Sequence, residues 1–406
     1  MSNPYGAIFR APGAKGFAAA GFFARMPMAM APIGIVAMLS QTHGEYWLAG
    51  AVSAAYALGN ALLSPQISRL VDRLGQSRIL VPTTIVSVLA FGALILAANQ
   101  HWPVWTLFAA ALLAAFMPSY PAMLRARWSE LFRDRPELHT AFAFESAADE
   151  LVYVAGASLS VGLSVALFPE AGMAVSTALL ALGSIAFIAQ RATEPRVSLE
   201  TAVAQHSAIW QRPVQIVTLI LIFIGSMFAT TAVTAVAMTE ALGQPEAASL
   251  VIGVYAIGSF VVGLIFGAVK LKLPLQQQLA IAVAIIAVTA VPLLFVSTVP
   301  LLTIAVFASG IAISTTFITA FGLIERRLPA SMLTEGITWV MTGIGIGMAL
   351  GSFAAGWVVD TYGASNGFTV SVVAGALALL TVLVGQKTLA GKPGVAGRHL
   401  KHQPAE

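Results

Sequence analysis

Long apolar runs separated by short polar segments fill the chain from Phe17 onward. A helix needs about 20 apolar residues to cross the hydrocarbon core of a bilayer, and twelve runs approach or exceed that length. The pattern therefore predicts an all-α membrane protein with twelve transmembrane helices. We number them as spans 1 to 12, and their predicted bounds are 17–40, 47–67, 79–98, 103–124, 140–168, 172–190, 214–238, 248–269, 276–297, 300–324, 335–358 and 366–386.

The composition agrees with a chain that is immersed in lipid. Of its 406 residues, 58% are hydrophobic and 9% are charged, whereas a soluble domain carries roughly 25% charged residues. Cysteine is absent, which excludes disulfides and thiolate metal sites. The net charge of +4 is spread over short loops, and the sequence lacks a basic block of the kind that binds nucleic acid. We therefore expect a lipid bilayer around the chain, no nucleic-acid partner, and no cofactor or metal.

Lysine and arginine fall almost entirely in alternate loops and at the two basic termini. The basic loops hold Arg69, Arg73, Arg78, Arg125, Arg127, Arg133, Arg135, Arg191, Arg196, Arg212, Lys270, Lys272, Arg326 and Arg327. The other loops hold none, and Arg25 is the only basic residue inside a predicted span. Because basic loops stay in the cytoplasm, we expect a bacterial inner-membrane protein with both termini cytoplasmic. Ala29-Met30-Ala31 resembles a signal-peptidase site, but the apolar run continues past Pro32, so span 1 is expected to remain.

A polar segment divides the spans into six and six. It covers residues 191–213, and it separates a predicted N-terminal bundle, 1–190, from a predicted C-terminal bundle, 214–406. Such a division suggests a duplicated six-helix unit. Small residues recur every four positions on spans 2, 5, 8 and 11, which favours close packing between the halves, although small residues are also abundant throughout. These stripes are Ala51, Ala55 and Gly59; Ser158, Gly162 and Ala166; Ser259, Gly263 and Gly267; and Gly343, Gly347, Gly351 and Ala355.

The loop after span 2 reads Ser68-Arg69-Leu70-Val71-Asp72-Arg73-Leu74-Gly75-Gln76-Ser77-Arg78. It resembles the signature between helices 2 and 3 of the major facilitator superfamily, in which Asp-Arg is followed by an apolar residue, a glycine and a basic cluster. The matching residues are Asp72, Arg73, Gly75 and Arg78. The departures are Ser68, which replaces an initial glycine, and Gln76 and Ser77, which replace basic residues.

The resemblance implies two pseudo-symmetric six-helix bundles, secondary transport by alternating access, and a chain that usually acts as a monomer. It also implies a cytoplasmic gate. Asp72 would lie near the positive end of the span 11 helix dipole, around Thr334 and Glu335. Gly75 would permit the tight turn. The alternative is ordinary basic-loop charge beside a short turn. The gate residues would be Asp72, Arg73, Gly75 and Arg78.

The direction of transport is less well indicated. Residues 351–368 are similar to the junction of helices 11 and 12 in bacterial efflux-type members. However, span 5 lacks the proline, and span 4 the arginine, that drug–proton antiporters carry. We expect a secondary active transporter of a small solute, by proton-coupled export of amphipathic, drug-like compounds. The alternatives are proton-coupled or facilitated uptake of a small metabolite, or a non-transporting sensor or channel. An enzyme is not expected, because no nucleophile, metal or ATP-binding motif is present.

Ionisable residues inside spans are costly and are candidates for function. Span 5 holds Glu145, Asp149 and Glu150, and Asp149 lies about 14 Å into its helix at 1.5 Å per residue. Arg25 lies at a similar depth in span 1. We expect Asp149 to be the proton-coupling site, with Arg25 as its partner or as a ligand for an anionic substrate. The alternative is a static charge network, in which Glu145 pairs with Arg125 or Arg127.

Several other groups are weaker candidates. Tyr255 and Trp339 are aromatic candidates for substrate contact. The hydroxyls of spans 7 and 10 either line a cavity or bond to their own helix backbone, as Ser and Thr commonly do; they are Thr230, Thr231, Thr234, Ser314, Thr315, Thr316 and Thr319. Four prolines are expected to kink spans 1 and 4: Pro27, Pro32, Pro118 and Pro121.

Overall fold

A computed structural model describes residues 4–44, 46–197, 206–244, 247–269, 271 and 273–390. Every regular element within these ranges is helical, which confirms the predicted all-α fold. Part of the predicted linker, residues 198–205, lies outside the described residues, as do Lys270 and Lys272 and the basic C-terminal residues from 391 onward.

The chain forms two compact units. One contains residues 1–141 and 148–205, and the other contains residues 142–147 and 206–406. The earlier helices are α1 (Pro4–Ile8), α2 (Ala14–Arg25), α3 (Pro27–His43), α4 (Tyr46–Leu74), α5 (Gln76–Asn99), α6 (Val104–Ala114), α7 (Tyr120–Phe132), α8 (Glu137–Ala166) and α9 (Ala171–Ala189). The later helices are α10 (Arg212–Ala241), α11 (Ala248–Ala268), α12 (Leu275–Ala290), α13 (Val299–Gly310), α14 (Ile313–Arg327), α15 (Leu333–Tyr362) and α16 (Phe368–Leu389).

Three spans consist of two α-helices each. Span 1 divides into α2 and α3 at Met26, and Pro27 begins α3, where its missing N–H costs nothing. Span 4 divides into α6 and α7, with Pro118 in the break between them. Span 10 divides into α13 and α14 after Gly310, where the sequence contains no proline. Spans 1 and 4 are therefore interrupted at Pro27 and Pro118, whereas Pro32 lies within the continuous helix α3 and Pro121 within the first turn of α7. The division of span 10 is an addition.

The break in span 4 leaves backbone carbonyls without helical partners, and polar side chains bind them. The amide of Asn60 donates to the carbonyls of Ala115 and Met117, each at 3.1 Å. Ser87 donates to the carbonyl of Ala114 at 3.0 Å. Non-helical backbone at membrane depth requires such partners, which explains why polar residues lie inside spans 2 and 3.

Ten helical stretches among the described residues are long and apolar enough to cross a membrane. Spans 2 and 4 are the two predicted spans missing from that set. Span 4 is divided into short helices, and α4 is long but carries polar residues along its second half. In the order of helices, α4 nevertheless occupies the position of predicted span 2, and α6 with α7 occupies the position of predicted span 4.

The glycine stripe of span 11 packs inside its own unit. A Cβ built at Gly343 would lie 2.8 Å from the carbonyl oxygen of Thr218, and Cβ atoms at Gly347 and Gly351 would overlap the carbonyls of Ile222 and Ser226. The backbone of α15 therefore lies directly against α10. We had expected this stripe at the interface between the halves, and that expectation is corrected here.

The other stripes differ in their surroundings. Gly59 approaches Ala115 in the first unit, and Gly263 approaches Ser314 in the second. Gly162 has no atom within 4 Å of a built Cβ. Close packing among the described residues thus accounts for parts of the stripes of spans 2, 8 and 11. The stripe of span 5 is exposed.

Candidate functional site

Asp149 lies between two arginines. Its Oδ1 accepts a hydrogen bond from Arg25 Nη1 at 2.7 Å, and its Oδ2 accepts one from Arg125 Nη2 at 2.8 Å. Both arginines are completely or almost completely buried, and Asp149 is 8% exposed. Each carboxylate oxygen thus has its own guanidinium partner. We call these three residues the Asp149 cluster.

Three separate helices carry the Asp149 cluster. Arg25 is the last residue of α2, immediately before the proline junction of span 1. Arg125 lies in α7, after the break of span 4, and its Nη1 also donates to the carbonyl of Pro121 at 3.2 Å. Asp149 lies near the middle of α8. The cluster therefore joins the two divided spans of this unit to the long helix of span 5.

Arg125 and Arg127 lie within a helix and not, as the sequence predicts, in a loop. The prediction ended span 4 at residue 124 and assigned both arginines to a loop. Helix α7 continues to Phe132, and both side chains are fully buried. Arg25 is therefore not the only basic residue inside a span, and span 4 does contain an arginine. The apolar run ended at residue 124 because buried charges are invisible to a hydropathy criterion.

Arg127 belongs to a different network from Arg125. Its Nε donates to Gln76 Oε1 at 2.8 Å, and its two terminal nitrogens donate to the carbonyls of Gln190, at 2.9 Å, and Phe187, at 3.2 Å. Nη1 also reaches Thr193 Oγ1 at 2.9 Å. The guanidinium lies 3.8 Å from the ring centroid of Phe187. Arg127 thus holds the C-terminal end of α9, where a helix presents unpaired carbonyls and partial negative charge.

The remaining carboxylates of span 5 flank the Asp149 cluster. Glu145 lies one turn earlier on α8 and is fully buried, whereas Glu150 is half-buried. Of the two arginines predicted as possible partners of Glu145, Arg125 binds Asp149 and Arg127 binds the end of α9, and the pairing of Glu145 with either one stays a prediction.

The predicted gate motif forms the turn between α4 and α5. Gly75 has a φ of +93°, which side chains other than glycine rarely adopt. Asp72 and Arg73 lie in the last turn of α4, and Arg78 lies in the first turn of α5, exposed.

Glu194, which the sequence did not indicate, stabilises the start of α5. One oxygen of the Glu194 carboxylate accepts a hydrogen bond from the backbone N–H of Ser77 at 2.8 Å, and the other accepts one from the Ser77 hydroxyl. A carboxylate at this position satisfies an unpaired N–H and complements the helix dipole. Glu194 is 117 residues away in sequence, so no local capping pattern could have indicated it.

The two aromatic candidates, Tyr255 and Trp339, contact other side chains of their own unit. Tyr255 is 5% exposed, and its ring lies 5.5 Å from that of Phe228. Trp339 donates from Nε1 to Glu335 at 3.3 Å, and Ser207 also donates to this carboxylate. The span 7 and span 10 hydroxyls of Thr231, Thr316 and Thr319 donate to carbonyls of their own helices.

The Asp149 cluster places two ion pairs on one carboxylate. Removing the negative charge of Asp149 by protonation would remove both ion pairs together, because each depends on the same carboxylate. Loss of the charge of one partner in a buried ion pair leaves the other charge uncompensated, which is strongly destabilising. The cluster can therefore couple the charge of one carboxylate to the packing of α2, α7 and α8.

An all-helical chain with ten membrane-length helices among its described residues is a polytopic membrane protein. The family model described as "Major Facilitator Superfamily" matches residues 17–239 and again residues 216–404. The chain belongs to this superfamily, whose members are transporters and not enzymes.

Solved structures with the same fold share little sequence with this chain. A bacterial homologue of the iron transporter ferroportin, in an outward-facing state, has a TM-score of 0.74 and 14% identity, over 92% of this chain and 99% of that one. The human organic anion transporter MFSD10 (TETRAN) has a TM-score of 0.68 and 11% identity, over 91% and 99%. The E. coli fucose:proton symporter FucP has a TM-score of 0.67 and 13% identity, over 92% and 98%. No curated protein sequence matches the chain.

Proposed function

We propose that the chain is a secondary active transporter that exports a small amphipathic compound in exchange for protons, by alternating access. The Asp149 cluster is the observation that carries this proposal. Asp149 is the proton-accepting group, and Arg25 and Arg125 hold it while it is charged. The sequence supports a bacterial inner membrane with cytoplasmic termini, because alternate loops lack Lys and Arg.

The charge chemistry supports proton coupling through Asp149 more than through the other span 5 acids. A coupling carboxylate must exchange a proton and must change its contacts when it does so. Asp149 makes an ion pair with each of two different helices, so protonation alters two helix contacts at once. Glu145 and Glu150 remain the next candidates.

The same cluster supports a second possibility for substrate recognition. Two arginines face one carboxylate, so an anionic substrate that replaces Asp149 on Arg25 would restore an ion pair. The human neighbour with this fold is an organic anion transporter by name. Uptake of a small anionic metabolite with protons is accordingly the alternative function. Transport assays with anionic and cationic compounds distinguish the two functions.

The test uses purified protein in liposomes that contain a pH-sensitive dye. A proton gradient is imposed, and a panel of amphipathic compounds and small metabolites is added from either side. We expect compound-dependent proton flux in the wild-type protein and none in Asp149→Asn. Glu130→Gln is the matched control, because Glu130 is an exposed acid 3.9 Å from Arg133 in the same unit.

A fold-preserving variant keeps the test decisive if Asp149→Asn is unstable. Asp149→Glu retains a titratable carboxylate, and we expect it to retain part of the flux. Unimpaired proton flux in folded Asp149→Asn would contradict the role of Asp149 and would direct attention to Glu145 or Glu150. Substrate movement without proton flux in the wild-type protein would contradict proton coupling itself.

A further inference from the structure

The first unit contains a basic cavity whose walls include none of the residues of the Asp149 cluster. It has a volume of about 630 Å³ and lies where the turn after α4 meets the segment after α9. We call it the basic cavity, and its walls are Arg73, Leu74, Gly75, Ser77, Arg78, Arg191, Glu194, Pro195 and Val197.

The charge of the basic cavity is positive. Three arginines line it against one carboxylate, and that carboxylate is already bound to the N–H and hydroxyl of Ser77. Arg78 and Arg191 are exposed and make no ion pair within the part of the chain that the structure describes. The cavity therefore holds more positive charge than its own acid neutralises.

The walls also combine cations with apolar surface. Leu74 is 45% exposed and Val197 is 48% exposed, and both line the same cavity as the arginines. Guanidinium groups bind phosphate oxygens by paired hydrogen bonds and are weakly hydrated, so they retain phosphate well at a surface. Basic pockets beside transmembrane helices suit anionic lipid headgroups for this reason.

We propose that the basic cavity binds a phosphate-bearing anion through Arg78 and Arg191. The source of the phosphate is either a lipid headgroup, whose acyl chains would contact Leu74 and Val197, or a soluble phosphate compound. The site is separate from the Asp149 cluster. It borders Gly75 and Glu194, so a bound anion would lie against the turn of the gate motif.

Native mass spectrometry of the purified full-length protein in detergent tests this proposal. Phosphatidylglycerol, phosphatidylcholine and inorganic phosphate are added separately, and the bound fraction is measured over a concentration series. The variant is Arg78→Gln with Arg191→Gln. The matched control is Arg133→Gln with Arg135→Gln, which removes two exposed arginines that do not line the cavity. Thermal unfolding checks that all proteins are folded.

We expect phosphatidylglycerol to bind the wild-type protein more tightly than phosphatidylcholine. Binding should weaken by about fivefold for each cavity arginine removed, since a surface arginine contributes about 1 kcal/mol toward anionic lipid. The control should bind as the wild type does. Inorganic phosphate that displaces the lipid, or binds alone with the same arginine dependence, would identify a soluble source.

Two results would overturn the proposal. Equal weakening of anion binding in the cavity variant and in the control would show that the effect comes from general surface charge and not from the cavity. The absence of any preference of the folded wild-type protein for phosphatidylglycerol or phosphate would show that the cavity binds no such anion.

Discussion

An arginine near the end of the fourth span binds the carbonyl end of the sixth span in each half of the chain. In the first half, Arg127 of α7 donates to the carbonyls of Phe187 and Gln190, at the end of α9. In the second half, Arg327 of α14 donates to the carbonyl of Leu389, at the end of α16. A cation at the C-terminal end of a helix satisfies free carbonyls and opposes the dipole. The recurrence is what duplication of a six-helix unit would leave behind.

The two halves differ in the charge that they bury. Helices α2 to α9 bury Arg25, Arg125, Arg127 and span 5 acids, whereas Glu335 is the buried charge among the described residues of α10 to α16. The polar groups of those later helices are mostly hydroxyls. Both halves therefore have the arginine contact at a helix end, whereas among the described residues the ion cluster lies in the first half. The shared contact maintains the fold, and the ion cluster is the candidate for chemistry. We expect substitutions of buried charge to have their largest effects in the first half.

The Asp149 cluster should give the largest stability change. Arg125→Met leaves the Asp149 carboxylate buried with one guanidinium fewer, and breaking a buried pair in this way costs about 3–5 kcal/mol. The double variant Arg125→Met with Asp149→Asn should cost less than the sum of the single variants, because the uncompensated charge is then gone. Equilibrium unfolding in a mild detergent measures both.

The second half supplies the control for this prediction. Arg326 is exposed at the end of α14, and Arg326→Met should change stability by no more than about 0.5 kcal/mol. Equal losses in Arg125→Met and Arg326→Met, or strict additivity in the double variant, would mean that the Asp149 cluster is not a coupled unit.

The next largest stability changes should come from Arg127 and Arg327, the two arginines that bind helix ends, and these changes should differ. Arg127 is fully buried and has four acceptors, whereas Arg327 is half-buried and has one carbonyl partner. Hydrogen bonds to charged groups contribute about 1.5–3 kcal/mol, and several are lost together at Arg127. We expect Arg127→Met to cost about 3 kcal/mol and Arg327→Met about 1 kcal/mol in thermal or denaturant unfolding. The reverse order would contradict the inference that burial and the number of acceptors determine how much each arginine stabilises its helix end.

The glycine stripe of α15 should show an intermediate effect that depends on contact. Gly347→Ala places a methyl group on the carbonyl of Ile222, and such overpacking costs about 1–3 kcal/mol. Gly345→Ala is the matched control, because no atom lies within 4 Å of its built Cβ. That control should be neutral or stabilising by up to about 1 kcal/mol, through helix propensity. Similar outcomes for the two variants would contradict the close contact of α15 with α10.

The sequence predicts the helical architecture well because lipid imposes a long apolar run on each span. It also predicts that Asp149 and Arg25 are functional candidates, since charge inside an apolar run stands out. It did not predict Arg125, because a charge at the end of a run is indistinguishable from a loop residue. Glu194 was missed for another reason: its contact with Ser77 joins segments that are distant along the chain, and only the folded structure brings them together.

The smallest expected effect is that of a span 10 hydroxyl, and it tests the division between scaffold and chemistry most directly. Thr319 is buried and donates to the carbonyls of Thr315 and Thr316 within its own helix. Such a bond duplicates what the helix already satisfies, so Thr319→Val should change stability by less than about 1 kcal/mol. Proton flux and substrate transport in liposomes should be unchanged. If Thr319→Val folded normally but lost transport, a second-half hydroxyl would belong to the transport pathway. The functional asymmetry that we infer from the buried charges would then be wrong, even though most of the buried charges among the described residues lie in the first half.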